Sequence, residues 1–528
     1  MKASSEGSAA GAIEAVVFDM DGVVTDTAEA HFQSWKTVFD GFLERYHPDA
    51  RPFTRRDYLD HVDGIPRYDG VRRFLASRGI ELPEGDPEAV TMTSIRGLGN
   101  LKNARFRNWL KSNEAPVFDD AIDLIGCLRK SGLAIGVFSA SRNARAVLKS
   151  AGITDLFDAV VDGHEAAELH LAPKPDPAEL FETVKRLGAP PARAIVVEDA
   201  VAGVKASARG HFSTVVGVNR QQDGADEQRF QLRAAGADLV TADLRRLSLP
   251  GRTGLRTLAR LPRVWEREQA FKSAIAGRPP SVFLDFDGTL SPIVADYRKA
   301  KLADGMAEAI RALARDVPVA VISGRNVDDV RHRVGIDDVI YAGSHGFDIA
   351  GPGGLAKRPD AALGFLAPLD AAEKELRAAI AQVRGAEIER KTFSIAVHYR
   401  QVAESDTERL EEAVDAVVER HEKLRKGRGK KVFQVQPRVA WDKGCAVSWL
   451  LAETHLGASG RVPIYVGDDL TDEDAFAAIA SRGVSIAVRG GEERPTLADF
   501  TLEDTTDVRQ FLEWLVRSAV PSPDMEQH

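Results

Sequence analysis

Cysteine is nearly absent: Cys127 and Cys445 are the two present in 528 residues. Far apart and matching no metal-ligand spacing, they exclude a disulfide framework and read as buried thiols in a reduced intracellular compartment. Excess positive charge is also missing, with 70 Lys and Arg against 79 Asp and Glu and a pI near 5.8. That balance excludes a polycation for nucleic acid and a basic run for an anionic membrane. Small charged metabolites remain as partners. No stretch approaches the ~20 apolar residues that span a bilayer. Residues 1–15 lack the basic start and apolar run of a signal peptide, so a cytoplasmic location is expected. No Gly-x-x-x-x-Gly-Lys-Ser/Thr loop occurs, and ATP-driven chemistry is not indicated.

What is present comes twice. Ala15-Val16-Val17-Phe18-Asp19-Met20-Asp21-Gly22 recurs 266 residues later as Ser281-Val282-Phe283-Leu284-Asp285-Phe286-Asp287-Gly288. Each is a short apolar run closing on Asp-x-Asp-Gly. Such runs predict strands buried on both faces of a parallel sheet. Others are Ala134 to Phe138, Ala194 to Val197, Val317 to Ile322 and Ile464 to Val466, with amphipathic helical patterns between. The expectation is α/β: two doubly wound parallel-sheet cores, with ligands at the carboxyl ends of the strands. At ~150 residues per compact unit the chain would hold three or four.

Polar signals recur in one order after each repeat. The first half gives Ser139, then Lys174, then Glu198-Asp199; the second gives Ser323-Gly324-Arg325, then Lys443, then Asp468-Asp469 with Asp472. Two aspartates two apart face one site if the chain turns, which Gly22 and Gly288 permit. With the later acidic pair they make a hard oxygen cage of the kind Mg²⁺ takes. The first aspartate of each pair, Asp19 or Asp285, can attack phosphorus, and the second, Asp21 or Asp287, can serve as acid and base. Ser and Lys supply a hydrogen bond and a charge to the moving phosphoryl group.

Spacing distinguishes the halves. From Asp19 to Ser139 is 120 residues and from Ser139 to Lys174 is 35, whereas Asp285 to Ser323 is 38 and Ser323 to Lys443 is 120. An insertion therefore follows the first strand in one half and the second strand in the other, above the site, where it acts as a lid. The first, about 31–116, reads as a helical cap. The second, about 351–436, reads as an α/β cap, with a helix over Leu369 to Arg384 and a strand over Thr392 to Tyr399. Lys423 to Lys431 reads as a solvated basic loop. Two Leu-Pro steps and Pro279-Pro280 predict a linker over 247–278, with one helix between Arg263 and Ala276. The domains are then 12–246 and 279–518.

With these residues in view, both halves resemble haloacid dehalogenase superfamily domains. Leu284 to Ile293, Ser323-Gly324-Arg325, Gly343-Ser344-His345-Gly346, Lys391 with Ser394, His398-Tyr399-Arg400, Trp441-Asp442-Lys443-Gly444 and Gly467 to Asp474 resemble trehalose-6-phosphate phosphatases. The resemblance implies Asp285 as nucleophile, Asp287 as acid and base, and Asp468 as metal ligand with Asp469 and Asp472 near it. Arg325, His345, Lys391, Ser394, His398 and Arg400 would read the sugar or its phosphate. From the residues alone, the alternative readings are an ordinary strand for His398-Tyr399-Arg400 and a turn residue for His345. Asp19 to Lys36, Ser139 to Asn143, Lys174 to Pro177 and Glu198 to Gly203 resemble β-phosphoglucomutase and its hydrolase-like relatives. There the resemblance implies that Asp19, Glu198 and Asp199 hold Mg²⁺, Asp21 is acid and base, and His31, Arg67 and Lys102 handle the hinge and a second phosphate. Whether this half is a mutase, a phosphatase or a non-catalytic partner stays open. Sugar phosphates are the partners expected for the chain.

Overall fold

The computed structural model describes residues 12–518 apart from 64, 222, 223, 276, 295, 359, 430 and 492. Two compact units are present, one of Met1–Ala225 with Ala235–Leu255 and one of Asp226–Ala234 with Arg256–His528. The segment expected as a linker is thus divided at 255, and its second part is ordered as a 3-10 turn at Val264–Arg267 and a helix at Glu268–Ile275.

Six parallel strands make the first core: β1 Ala15–Asp19, β2 Ala134–Phe138, β3 Ala159–Val161, β4 Ala194–Glu198, β5 Thr214–Val218 and β6 Leu239–Thr241. Their order is β3-β2-β1-β4-β5-β6, so the chain reverses direction across the sheet between β1 and β4. Ligands bind at such a switch point. Every residue of β1, β4 and β5 is buried, which is why these strands read as unbroken apolar runs. The insertion after β1 holds helices Ala28–Tyr46, Arg55–His61, Arg67–Ser77 and Ile95–Ser112. They enclose their own core, in which Phe39, Phe53 and Phe74 meet ring to ring. A helical cap is present as expected.

In the second unit β7 Pro280–Leu284, β8 Val319–Ile322 and β9 Ile340–Gly343 are followed by β10 Asp348–Ala350 and β11 Ala356–Lys357. The cap strands are β12 Glu387–Lys391, β13 Ser394–His398, β14 Leu424–Gly429 and β15 Val432–Pro437, and the chain returns to the core with β16 Val462–Gly467, β17 Val484–Val488 and β18 Phe500–Leu502. The core order is β11-β10-β9-β8-β7-β16-β17-β18, parallel except at β10 and β11. β12-β13-β15-β14 form an antiparallel sheet. Helices Leu366–Ala379 and Glu404–Arg420 cover it, their Leu369, Leu376, Leu410 and Val414 sharing a core with Ile395 and Val435. The α/β cap is thus also as expected.

Three local expectations change. The helix predicted to Arg384 ends at Ala379, because a turn past Ile380 brings both Ile380 and Val383 into the cap core. Residues 424–429 are a strand, not a solvated loop: Leu424 is buried, and Lys426 pairs with Glu411 and Asp415 on the covering helix. Both cysteines are half-buried. Among the described residues no helix is long and apolar enough to cross a membrane.

Candidate active sites

The second site is built on the end of β7. Asp285 leaves that strand with its N–H donated to the Val466 carbonyl, and the following turn passes through Gly288 at φ 88°. A methyl group there would collide with the Asp468 carboxylate, so only glycine lets the first turn and the β16 loop approach this closely. Lys443, the first residue of helix Lys443–Glu453, donates to Asp285 Oδ1 and to Asp472 Oδ1, both at 2.6 Å. Asp472, fully buried, also accepts from the Tyr465 hydroxyl at 2.7 Å and from the N–H of Asp468 and Asp469 at 3.0 and 2.9 Å. Oxygen atoms of Asp285, Asp468 and Asp472 lie within 4.8 Å of one another. Burial and the nearby Asp472 and Asp468 push the Asp285 carboxyl well above the usual range although Lys443 opposes them. Burial would lower Lys443, but Asp285 and Asp472 overcome it and hold the ammonium charged.

Arg325 grips Asp287 with two donors, Nε to Oδ2 and Nη2 to Oδ1, each at 2.7 Å. Such a fork-to-fork pair fixes the carboxylate in direction as well as position. Asp329 and the Tyr297 carbonyl hold the guanidinium in turn. Ser323 sits at the end of β8, its hydroxyl accepting from the Arg325 N–H. His345, in the left-handed region at φ 60°, has Nε2 at 2.5 Å from Gln434 Oε1 of the cap. Burial, then Lys443 and Lys391, depress its pKa well below the usual value, so the ring is neutral.

A cavity lies over this cluster. Asp285, Asp287, Lys443, Asp468 and Asp469 line its floor, and Arg325, His345, Lys391, His398 and Arg400 line it as well. Ser394 is buried at the start of β13, outside the lining set. Glu387, Glu389, Gln434 and Tyr297, which lie outside the motifs of the sequence, also line the cavity. Glu387, Glu389 and Lys391 alternate along β12, and that period of two was the available signal for one polar face. Glu389 accepts from or pairs with His398 at 2.9 Å, and the His398 ring stacks on Tyr297 with centroids 4.7 Å apart. Nothing around Tyr297 marked it in advance.

The first site has the same plan. Lys174 donates to Asp19 Oδ1 at 2.5 Å and to Glu198 Oε2 at 2.7 Å. Glu198 Oε1 accepts the N–H of Asp199 and Ala200 at 3.1 and 2.9 Å. Gly22, at φ 86°, packs against the Asp199 carboxylate as Gly288 does against Asp468. Oxygen atoms of Asp19, Glu198 and Asp199 cluster within 4.8 Å. Burial and Glu198 raise both Asp19 and Asp199. Asp21 accepts from Thr27 and Thr25, and Ser139 at the end of β2 accepts from the Ser141 N–H.

The cap residues of this site also come together. His31 stacks on Phe106, has Nδ1 at 2.5 Å from Lys102 Nζ, and points Nε2 toward Asp21 at 4.0 Å. Arg67 donates to Asn103, which also accepts from Asn143 beyond β2. Burial and then Arg67 lower Lys102 to about 7, and burial with Lys102 and Arg67 keeps His31 neutral.

Comparison with known proteins separates the halves further. Residues 283–506 match the trehalose-phosphatase family model, and residues 13–211 match that of haloacid dehalogenase-like hydrolases. A trehalose-phosphate phosphatase of Mycobacterium leprae is 36% identical over 409 residues, covering 76% of this chain and 92% of that protein. This chain belongs to the trehalose-phosphate phosphatase family. A second member, from Mycobacterium tuberculosis, is 40% identical over 341 residues, 64% of this chain and 85% of the relative. A longer Mycobacterium tuberculosis protein described as an uncharacterized glycosyl hydrolase is 39% identical over 511 residues. That match takes in 95% of this chain but 38% of the relative, so the chain spans under half its length. The trehalose-phosphatase match begins inside β7 and ends past β18, taking in the Asp285 cluster and the whole cap above it.

Proposed function

We propose that the second unit hydrolyses trehalose 6-phosphate to trehalose and phosphate through an aspartyl-phosphate on Asp285. The observation that carries this reading is Lys443 bridging Asp285 and Asp472 beneath a cavity walled by Arg325, His345, Lys391, His398 and Arg400. A disaccharide phosphate offers many hydroxyls and a dianion, and such a wall offers donors and acceptors for both. The family's phosphatase relatives support the choice of sugar.

The carboxylate cluster fits Mg²⁺, since its donors are all oxygen and close enough to converge on one small cation. Asp285 and Asp468 would hold it, with Asp287, Asp469 and Asp472 beside them. When bound, Mg²⁺ supplies positive charge against the carboxylate and phosphate oxygens. Asp285 Oδ forms a bond to phosphorus as the bond from phosphorus to the sugar oxygen breaks, and Asp287 gives that oxygen a proton. Water then attacks phosphorus, Asp287 takes its proton, and Asp285 leaves with both electrons of its bond to phosphorus. Lys443 and Ser323 face the charge that builds on the phosphoryl oxygens. Arg325 sets the direction of the Asp287 carboxylate.

The first unit is a second phosphotransfer site on a sugar phosphate, of mutase or phosphatase type, with Asp19 and Asp21 in the matching roles and Asp19, Glu198 and Asp199 toward Mg²⁺. His31, Lys102 and Arg67 meet the far end of that substrate. We place the protein in the cytoplasm. Phosphate release from trehalose 6-phosphate with Mg²⁺ tests the main reading: none from the wild-type protein would sink it.

A further inference from the structure

We infer that Arg494 is a positioning residue for the Asp468 loop, setting its affinity for a divalent cation. The inference rests on reading the second unit's carboxylates as a Mg²⁺ site. Arg494 comes from the stretch between β17 and β18, more than twenty residues after Asp468, and belongs to none of the signals that mark the site in the sequence.

The geometry starts from Glu473, the residue after Asp472 and the first of helix Glu473–Ile479. It is 1% exposed, and a carboxylate so placed is costly without donors. Three donors reach it: Arg494 Nη1 and the Thr496 hydroxyl on Oε1, the latter at 2.7 Å, and the Leu497 N–H on Oε2 at 2.8 Å. The same guanidinium donates through Nη2 to the Asp468 carbonyl at 3.5 Å. One side chain therefore ties the backbone where Asp468 begins the loop to the helix start where Asp472 ends it.

The stretch that carries Arg494 is itself anchored. Leu258 N–H donates to the Arg494 carbonyl at 3.1 Å and Thr496 N–H to the Arg256 carbonyl at 3.2 Å, with Thr257 bridged to Pro495. Arg256, buried, holds the Ala498 carbonyl at 3.0 Å. Residues 256–258, which read as linker in the sequence, thus buttress the clasp. Asp468 presents its carboxylate beside Gly288, where a shift of a few tenths of an ångström alters every oxygen distance in the cluster. Outer partners that fix a metal ligand in this way are commonly worth 10- to 100-fold in metal affinity.

The test uses full-length protein carrying Asp199→Asn, which removes a carboxylate from the first cluster so that calorimetry with Mg²⁺ alone reads the second. Adding Arg494→Ala weakens Mg²⁺ binding about tenfold or more, and Arg494→Lys restores part of it. Thr496→Val, which takes one donor from Glu473 and leaves the arginine, weakens binding by a few-fold. At saturating Mg²⁺ the KM for trehalose 6-phosphate stays within about twofold, because Arg494 is outside the cavity lining. A lower melting temperature with an unchanged Mg²⁺ dissociation constant in either folded variant makes the clasp merely structural and overturns the inference. A parent protein that takes up no Mg²⁺ overturns the Mg²⁺ reading itself, and the inference with it.

Discussion

In the first unit Lys174 bridges Asp19 and Glu198, and Glu198 also accepts two backbone N–H groups of its own loop. In the second, Lys443 bridges Asp285 and Asp472, and it is Asp472 that accepts the loop N–H groups. The lysine's second partner therefore precedes the carboxylate beside the glycine by one residue in one site and follows it by four in the other. Glutamate has the extra methylene needed to curl back over the turn that follows it. Aspartate lacks that reach and does the same work from the start of the next helix. Matching by motif order sets Glu198-Asp199 against Asp468-Asp469, whereas geometry sets Glu198 against Asp472 and Asp199 against Asp468. Asp469 has another task, accepting the Leu470 N–H at 2.8 Å.

The two sites should separate most at their lysines. Lys443→Ala leaves Asp285 and Asp472 buried without their cation, and loss of one partner from such a group costs about 3–5 kcal/mol. Phosphate release from trehalose 6-phosphate is expected to fall at least ~10³-fold, with a lower melting temperature. Lys174→Ala should lower the melting of the first unit by a like amount and leave that release within a few-fold. A Lys174 variant as inactive as the Lys443 variant would mean that the two sites are not chemically separate.

Glycine replacement is the next largest effect. Gly288→Ala and Gly22→Ala each force a side chain into the left-handed region and against the Asp468 or Asp199 carboxylate. Backbone strain of this kind costs about 1–3 kcal/mol. Gly288→Ala should cut trehalose 6-phosphate turnover by roughly 10- to 100-fold, with Mg²⁺ affinity falling in step. Unchanged Mg²⁺ affinity in a folded Gly288→Ala protein would separate Asp468 from the cation.

These paired positions show what the sequence made legible. Asp19, Asp285, Lys174 and Lys443 stood out because strand ends carry them in one order, and the strands read clearly because parallel sheets bury both faces. Arg494 and Tyr297 did not, since their contacts close across long stretches of chain and no local period announces them. That Asp472 is the counterpart of Glu198 was hidden for another reason: motif order ignores side-chain length. Residues 424–429 read as a loop in the sequence because a basic run looks solvated until the acids of the covering helix stand beside it.

Smaller effects sharpen the difference. Tyr465→Phe removes the hydroxyl donor that Asp472 has beyond its lysine and two N–H groups, at a cost of about 1–3 kcal/mol for the buried acceptor. It should lower kcat for trehalose 6-phosphate modestly and leave KM alone; a change confined to KM would contradict it. The cap of the first unit should show a pH dependence of its own. Lys102, lowered to about 7 by burial and Arg67, is charged below that pH and neutral above it. Binding of a sugar phosphate there, followed by calorimetry, should weaken as pH rises from about 6 to 8, and Lys102→Met should flatten the profile. An unchanged profile in that variant would assign the titration elsewhere.

The most direct measurement is phosphate release from trehalose 6-phosphate with Mg²⁺ by the wild-type, Asp285→Asn and Asp19→Asn proteins side by side. The wild type should release phosphate, Asp285→Asn should fall below ~1% of that rate, and Asp19→Asn should stay within a few-fold of wild type. Release that survives Asp285→Asn but is lost in Asp19→Asn would contradict it.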